Sequence, residues 1–432
     1  MKYLKSFLLM LTIVAVLPLT GCSSDEPEVQ SLVADVNNEG QYTDGTLFYS
    51  LTDDGQSAQV VRAGDVMPDS TVIIPSKVRI KGKTYDVTTI FKGAFNGCFS
   101  LTAIEIPSSI KKIYRGAFYH CARLKSITLP ASITRIAEDV FQDCTQLEEV
   151  NILGPIDSIA NCAFYNCKSL KSFTIPSSSP SITIQGAAFY CCSSLVAFHV
   201  TSPIKELDGY AFMGCTSLES FTFPKGSDLS VLGENCFWAC SNLISINIPA
   251  SVKMIENCAF VNCSSMKTVE IPDDSKLEAL GDKAFNGCSS LTSLTFTHPL
   301  TSLGIYVFAY CKNLESIVIP ASSPIEYIPT GTLYDCFALK ALEIPAAVKG
   351  FNQKAIYQCS SIESLTLHEN FKFIDRHNDC KSLKTIHCKS TTPPYIDFDN
   401  FKNLSAIYVP ANSLDDYKSK WMSLADIIYP DE

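Results

Sequence analysis

One stretch of this chain is copied along most of its length, and that repetition restricts the fold more than any other feature. The copy from Leu243 to Cys263 reads LISINIPASVKMIENCAFVNC. Leu243, Ile246 and Ile248 have the spacing of a short strand, Pro249 ends it, Val252 and Ile255 carry a second apolar edge, and Ala259-Phe260 lead to Cys263. The anchoring aromatic recurs at Phe95, Phe118, Phe141, Phe164, Phe189, Phe212, Phe237, Phe260, Phe285 and Phe308. Leu333 and Ile356 continue the series, His377 replaces the aromatic once, and Phe398 closes it. The step is 23 residues at first and then alternates between 25 and 23 from Phe164 to Ile356, the extra pair falling just after the Pro. A fixed period in this range specifies a solenoid.

Stacked coils share one continuous core, so 432 residues do not require several domains. The pattern predicts a parallel β-sheet with one short strand per 23–25-residue coil. Fifteen coils, counting the strands at Val72 and Ile407, give a sheet on the order of 70 Å long. Ile104 and Ile106 face the core and Glu105 faces out. Before the regular coils, LFYSL, the Asp53-Asp54-Gly55 turn and Val60-Val61 read as a β-hairpin. A second hairpin turns at Gly82-Lys83-Thr84. After Ala406-Ile407-Tyr408-Val409-Pro410, taken as the last strand, Leu414, Tyr417, Trp421 and Leu424 are spaced for an amphipathic helix with Ser413 as N-cap. The expected organisation is a signal peptide over 1–21, a flexible acidic tether over 22–45, a β-hairpin cap with the first repeat over 46–91, the solenoid over 92–410 and a helical cap over 411–432.

The N-terminus points to export. Lys2 and Lys5 precede an apolar run from Phe7 to Leu17 that is too short to span a bilayer. Leu19-Thr20-Gly21-Cys22 resembles a bacterial lipobox, which implies that Cys22 becomes the lipidated first residue. Several acyl chains give a stable anchor where one does not. The following Ser23-Ser24-Asp25-Glu26-Pro27-Glu28 is similar to the acidic export tag of surface lipoproteins in Gram-negative anaerobes. That resemblance implies an outer membrane lipoprotein exposed on the cell surface, touching the membrane through its lipid alone.

The L-x-x-I-x-I-P strands and Ala-Phe-x-x-Cys segments, seen many times over, resemble the BspA-like leucine-rich repeats of bacterial surface proteins from about Thr46 to the C-terminus. The resemblance implies a leucine-rich-repeat-like fold. It also implies a recognition role, since the family includes proposed adhesins for host matrix proteins.

Reactive chemistry is not evident. Thirteen of nineteen cysteines, from Cys98 to Cys380, occupy one repeat position, three residues after the anchor. They should stack as a ladder of free, buried thiols, because parallel side chains in one row do not present the torsion of a disulfide. Cys162-x4-Cys167 offers a single pair without a second, short of a four-ligand zinc site. The six histidines belong to no metalloprotease, haem or phosphate motif. The expectation is a protein that is not an enzyme and needs neither cofactor nor metal. A net charge of −10 argues against a nucleic-acid partner.

Two surfaces remain as candidates. The outward strand column, running from Glu105 through His199 and Asn247 to Tyr408, is polar and poor in hot-spot residues. Directly after the anchor stand Tyr119, Tyr165, Tyr190, Trp238, Tyr334 and Tyr357, with Tyr114, Tyr210, Tyr306 and Tyr310 nearby. Exposed aromatics along a ridge can stack on sugars or pack against a protein, and the same rings would also serve to cover gaps between coils. The functional expectation is therefore a surface-anchored, adhesin-like protein that binds a host or bacterial surface protein. The alternatives are a glycan-binding component of a polysaccharide-capture system and a structural envelope protein.

Overall fold

The computed structural model describes residues 30–31, 33–34, 41–64 and 71–431. The signal segment, Cys22 and most of the acidic tether lie outside the described residues. The described chain is a right-through stack of coils whose repeat positions lie one above another. Val72 pairs in register with Ile104, Phe173 with Phe198, Ile246 with Val269 and Leu365 with Ile386, all in parallel. Fifteen strands from Thr71–Ile73 to Ala406–Pro410 make this column. It is not one unbroken sheet. Strands of two to five residues leave few bonds per rung, and the hydrogen-bonded ladder lapses between segments such as Ser126–Leu129 with Glu149–Ile152 and the next five strands.

Each regular coil contributes more than the strand expected from its sequence. The second apolar edge also forms a short parallel strand, as in Val231–Leu232 beside Met254–Ile255. The Ala-Phe turn supplies a third set of bonds between coils. The N–H groups of Gly93, Phe95 and Gly97 donate to Arg115, Ala117 and Tyr119 at 3.2, 2.7 and 2.8 Å. This one-in-two donation requires left-handed backbone on either side of the Phe. Gly93 and Gly97 have φ of 66° and 72°, and non-glycine residues repeat that geometry coil after coil, including Cys162, Cys191 and Ala239. The latter accept the crowding of Cβ in this region because three ladders hold the turn in place.

The anchors form a file of ten phenylalanines, from Phe95 to Phe308. Successive rings stack at 5.1–5.8 Å with interplanar angles of 4–18°. Phe173, Phe198 and Phe221 of the strand column meet this file edge-on at 65–80°. Both geometries suit the ring quadrupole.

The long coils carry a device that the repeat pattern did not reveal. Ser179, Ser227, Ser275 and Ser323 each stand three residues after the Pro, and each N–H donates to that Pro carbonyl at 2.9–3.1 Å. Three of the hydroxyls then accept from the preceding coil: Ser179 from Ile156, Ser227 from Ile204 and Ser323 from Leu300, each at 3.0 Å. The two added residues thus close a local turn that is fastened to its neighbour.

The cysteines fall where expected. All eighteen described cysteines are free, and only Cys98, Cys162, Cys191 and Cys258 are partly exposed. Twelve of the thirteen ladder thiols, from Cys121 to Cys380, donate to the anchor carbonyl of the preceding coil at 3.1–3.4 Å, as Cys240 does to Phe212. A small apolar group with one weak donor fits that position better than Ser or Ala. Burial pushes Cys98 up to about 12 and raises Cys162, Cys191 and Cys258 as well. Because the thiolate is the reactive form, a maleimide or iodoacetamide near neutral pH should modify those four slowly and the buried ones only after unfolding. Mass spectrometry of protein purified without air would show the count, and disulfide-linked peptides would contradict it.

At the N-terminal end, Leu47–Leu51 and Ala58–Ala63 form the first hairpin, and Lys77–Ile80 with Lys83–Ile90 the second. Lys81 and Gly82, at φ of 48° and 82°, make the tight two-residue turn there, so Gly82-Lys83-Thr84 is a hairpin end. The sheet reaches further back than Thr46. Tyr42–Thr43 pairs with the first hairpin, Val33–Ala34 with Tyr42–Thr43, and Gln30–Ser31 with Val78–Arg79, so part of the span assigned to the tether is paired strand.

The C-terminal cap also departs from expectation in two respects. The helix Leu414–Lys420 forms, burying Tyr417, whose hydroxyl donates to the Ser390 carbonyl at 2.8 Å. Ser413 occupies the N-cap position, but its hydroxyl makes no capping bond and turns to Asn412 instead. Leu424 lies on a following 3-10 turn. Ala406–Pro410 is not the last strand: Ile428–Asp431 pairs beside it in parallel, because the cap turns back to add one more rung.

Candidate recognition site

The outward strand column is exposed along nearly all its length, from Glu105 to Thr366. Ion pairs between coils flank it, such as Lys340 with Glu315 at 2.6 Å and Lys384 with Glu363 at 3.0 Å. These are exposed and add little stability. The column ends in a ring stack. His387 lies on Tyr408 at 4.8 Å and 13°, and Tyr408 meets Tyr429 of the added strand at 5.9 Å. On the long-coil side, an open groove of 920 Å³ runs between Pro224-Lys225 and Asp274, floored by Pro249 and Ala250. Outside the groove, burial and the neighbouring Glu206 raise Asp208 to about 6. Among the described residues no group of three or more His, Cys, Asp or Glu is arranged to hold a metal ion.

The aromatic column is more informative. Tyr119, Tyr165, Tyr190, Trp238, Tyr334 and Tyr357 are all half-buried and share one slot of the turn ladder, with three rungs, Val261, Asn286 and Ala309, separating Trp238 from Tyr334. They do not form one ridge. Tyr119 packs against His120 at 4.2 Å. Tyr165 and Tyr190 stack face to face at 4.6 Å and 3°. Trp238 shares its column with Met213 and the buried Val261, which occupy the same slot on either side. Of these contacts, the Tyr165–Tyr190 stack bridges two successive coils.

Tyr334 and Tyr357 belong to something larger. They stack at 4.9 Å, and Tyr310 and Tyr306 approach Tyr334 at 5.4 and 6.2 Å. The Lys354 ammonium sits 5.8 and 5.9 Å from the Tyr334 and Tyr357 ring centres. Tyr306 and Tyr310 both hold left-handed backbone, with φ of 55° and 62°, in slots that other coils fill with Gly, Asn or Asp but also with Cys, Ala, Lys and, at Tyr210, another Tyr. A bulky ring in this conformation is an outlier that costs free energy. The ring of Tyr306 lies over Gly331, whose missing Cβ would otherwise come within 2.2 Å of it. Asp335, on the next residue, is raised by burial, and one of its buried oxygens has no hydrogen-bond partner. Four tyrosines, a cation over two of them and a glycine that makes room thus converge across three coils. The sequence places Tyr306 and Tyr310 near the column. What it does not display is that both rings meet Tyr334.

A family profile described as "BspA type Leucine rich repeat region" matches in six copies, over residues 76–183, 182–314, 253–384 and 302–422. A leucine-rich repeat protein of Bacteroides ovatus, solved by crystallography, is 27% identical, with a TM-score of 0.73 over 90% of this chain and 98% of that one. A leucine rich cell surface protein from Faecalibacterium prausnitzii is 21% identical, with a TM-score of 0.47 over 82% of this chain and 96% of that one. No curated protein matches the sequence.

Proposed function

The chain belongs to the family of BspA-type leucine-rich repeat proteins, and from that premise we propose that it is a surface-anchored, non-catalytic recognition protein. Its partner is a protein exposed on a host or bacterial surface, and Tyr306, Tyr310, Tyr334, Tyr357 and Lys354 make the central contact. Lipid at Cys22 holds it to the outer membrane. One observation carries the reading: Tyr306, Tyr310, Tyr334 and Tyr357 converge across three coils with the Lys354 ammonium beside two of the rings. Rigid tyrosines beside a cation have the composition of interface hot spots. The flat Tyr165–Tyr190 pair favours a second reading, in which sugars stack on the column.

Capture experiments with the chain against host extracellular proteins and a glycan array separate these. Tyr310→Ala with Tyr357→Ala should weaken protein capture at least tenfold, the loss typical of two interface anchors. If binding is instead to glycans and disappears with Tyr190→Ala and Trp238→Ala, the second reading stands. Protein capture that ignores the tyrosine group would remove the proposed site.

A further inference from the structure

The net charge of −10 conceals a division along the solenoid. Between Lys77 and Arg135 there are 11 Lys and Arg and only 2 acids, Asp86 and Glu105, whereas the preceding residues 22–76 hold 10 acids and one base, Arg62. From residue 136 onward 20 basic residues face 32 acidic ones. The positive stretch is also organised in space. Lys112 and Arg135 are the outward residues of second-edge strands one coil apart, and Lys111 stands beside Lys112. Lys92 and Arg115 hold equivalent positions just past that edge. All five are exposed, and of them only Arg115 makes an ion pair with a described residue, bonding Asp139 at 2.8 Å with Glu138 at 3.4 Å. Interleaved with them are two exposed rings, Phe91 and Tyr114, 38% and 42% accessible and edge-to-face at 6.0 Å. The second hairpin joins the same sheet and carries Lys81 and Lys83 at its exposed tip.

We propose that this basic, aromatic-bearing face of the second hairpin and first regular coils docks on a bilayer surface of anionic phospholipid, so that the solenoid stands with its later, acidic coils pointing away. The inference rests on the reading of Cys22 as the lipid anchor. Gln30–Ser31 pairs directly with the basic hairpin, and the eight residues from Cys22 to Gln30 span at most about 28 Å when fully extended. An anchored chain therefore holds these cations close to the headgroups, along with the acids of the first hairpin such as Asp54, whose carboxyl the Thr52 hydroxyl and, to a lesser degree, Lys112 hold down, while the acidic later coils are repelled. Each Lys or Arg at an anionic surface contributes about 1 kcal/mol, within a screening length of about 8 Å at physiological salt. Exposed aromatic rings settle at the same interfacial level. The consequence for recognition is orientation: the tyrosine group around Tyr334 lies far along the stack and would face outward.

The test uses residues 23–432, which contain every described element and lack Cys22. Sedimentation with vesicles of phosphatidylglycerol and phosphatidylethanolamine should show binding that falls as salt rises, and vesicles of phosphatidylcholine should show none. Lys111→Glu with Lys112→Glu and Arg135→Glu should lower the partition on the order of a hundredfold, from about 1 kcal/mol per cation lost. Reversal of Lys267 and Lys276 in the acidic coils should leave it unchanged, and thermal melting should show all variants folded. The proposal is overturned by equal binding to neutral vesicles, by no vesicle binding at low salt, or by equal loss from both sets of substitutions. It is also overturned if the three cations serve instead an acidic polysaccharide or a second copy of the chain, seen as capture or association without vesicle binding. Mass analysis of Cys22 in the full chain from cells is a separate arm. An unmodified Cys22 with intact vesicle binding removes the anchor reading alone, and an acylated Cys22 without vesicle binding removes only the docking.

Discussion

Replacing Phe237 by alanine should lower the stability of the solenoid by about 3–5 kcal/mol, the cost of emptying a fully buried aromatic site. Phe237 is wholly inaccessible. It stacks on Phe212 and Phe260, both at 5.5 Å, and receives Phe221 edge-on at 5.1 Å, so one truncation breaks three ring contacts in three coils. The cavity cannot easily collapse, because the turn backbone on both sides is fixed by bonds from Phe237 N–H to Ala259 and from Phe212 N–H to Cys236. In a stack where each coil touches only its neighbours, the damage should be local and should propagate. Hydrogen exchange would then show the coils around Phe237 opening first, alongside a fall in the denaturation midpoint. Phe237→Leu is the matched control. Leu333 fills the equivalent site in its own coil, so Leu should cost clearly less than Ala. Equal losses for Leu and Ala would mean that the ring file adds nothing beyond apolar volume.

The same residues explain how far the sequence could be read. Everything set by the period was legible: the strand column, the buried anchors and the free thiol ladder each rest on a residue class repeated at one position. Both hairpins and the presence of a helical cap were legible from turn residues and a change of apolar spacing. The losses occur where function or closure depends on a single coil. The Ile428–Asp431 rung follows a helix and has no repeat signature, so it could not be counted from spacing. The serines three residues after each long-coil Pro occur only every second coil. Tyr306 and Tyr310 read as two more aromatics near a column; their left-handed backbone, and the space above Gly331, exist only in the stacked structure. Whole-chain charge hid the basic face because the acidic coils outnumber it.

Gly233→Ala should be destabilising by about 2–3 kcal/mol, the upper range for forcing atoms into a packed site, although its backbone alone predicts the opposite sign. Gly233 has ordinary backbone with no positive φ, where replacing glycine by alanine normally stabilises by about 0.4–1 kcal/mol through the unfolded chain. Here a Cβ would lie 2.4 Å from the Gly209 nitrogen and 2.6 Å from the Asp208 carbonyl carbon. Those are main-chain atoms of the preceding coil, set between the ladder bonds of the Asp208 N–H to Ile184 and of the Ala187 N–H to the Gly209 carbonyl, so no side chain can swing away to relieve the overlap. Gly281 and Gly304 meet the coil before them in the same manner, at 2.6 and 2.4 Å. Gly186 provides the contrast. It too lacks a positive φ, but its added Cβ would meet only the Asn161 side-chain oxygen at 3.1 Å and the Gly209 carbonyl at 3.5 Å. Gly186→Ala should therefore be near neutral or mildly stabilising when the two variants are melted side by side. The difference between them measures how closely successive coils are pressed at the second edge. A stabilising Gly233→Ala would show that coil spacing there is soft, and the close approach would then lose its role in holding the stack.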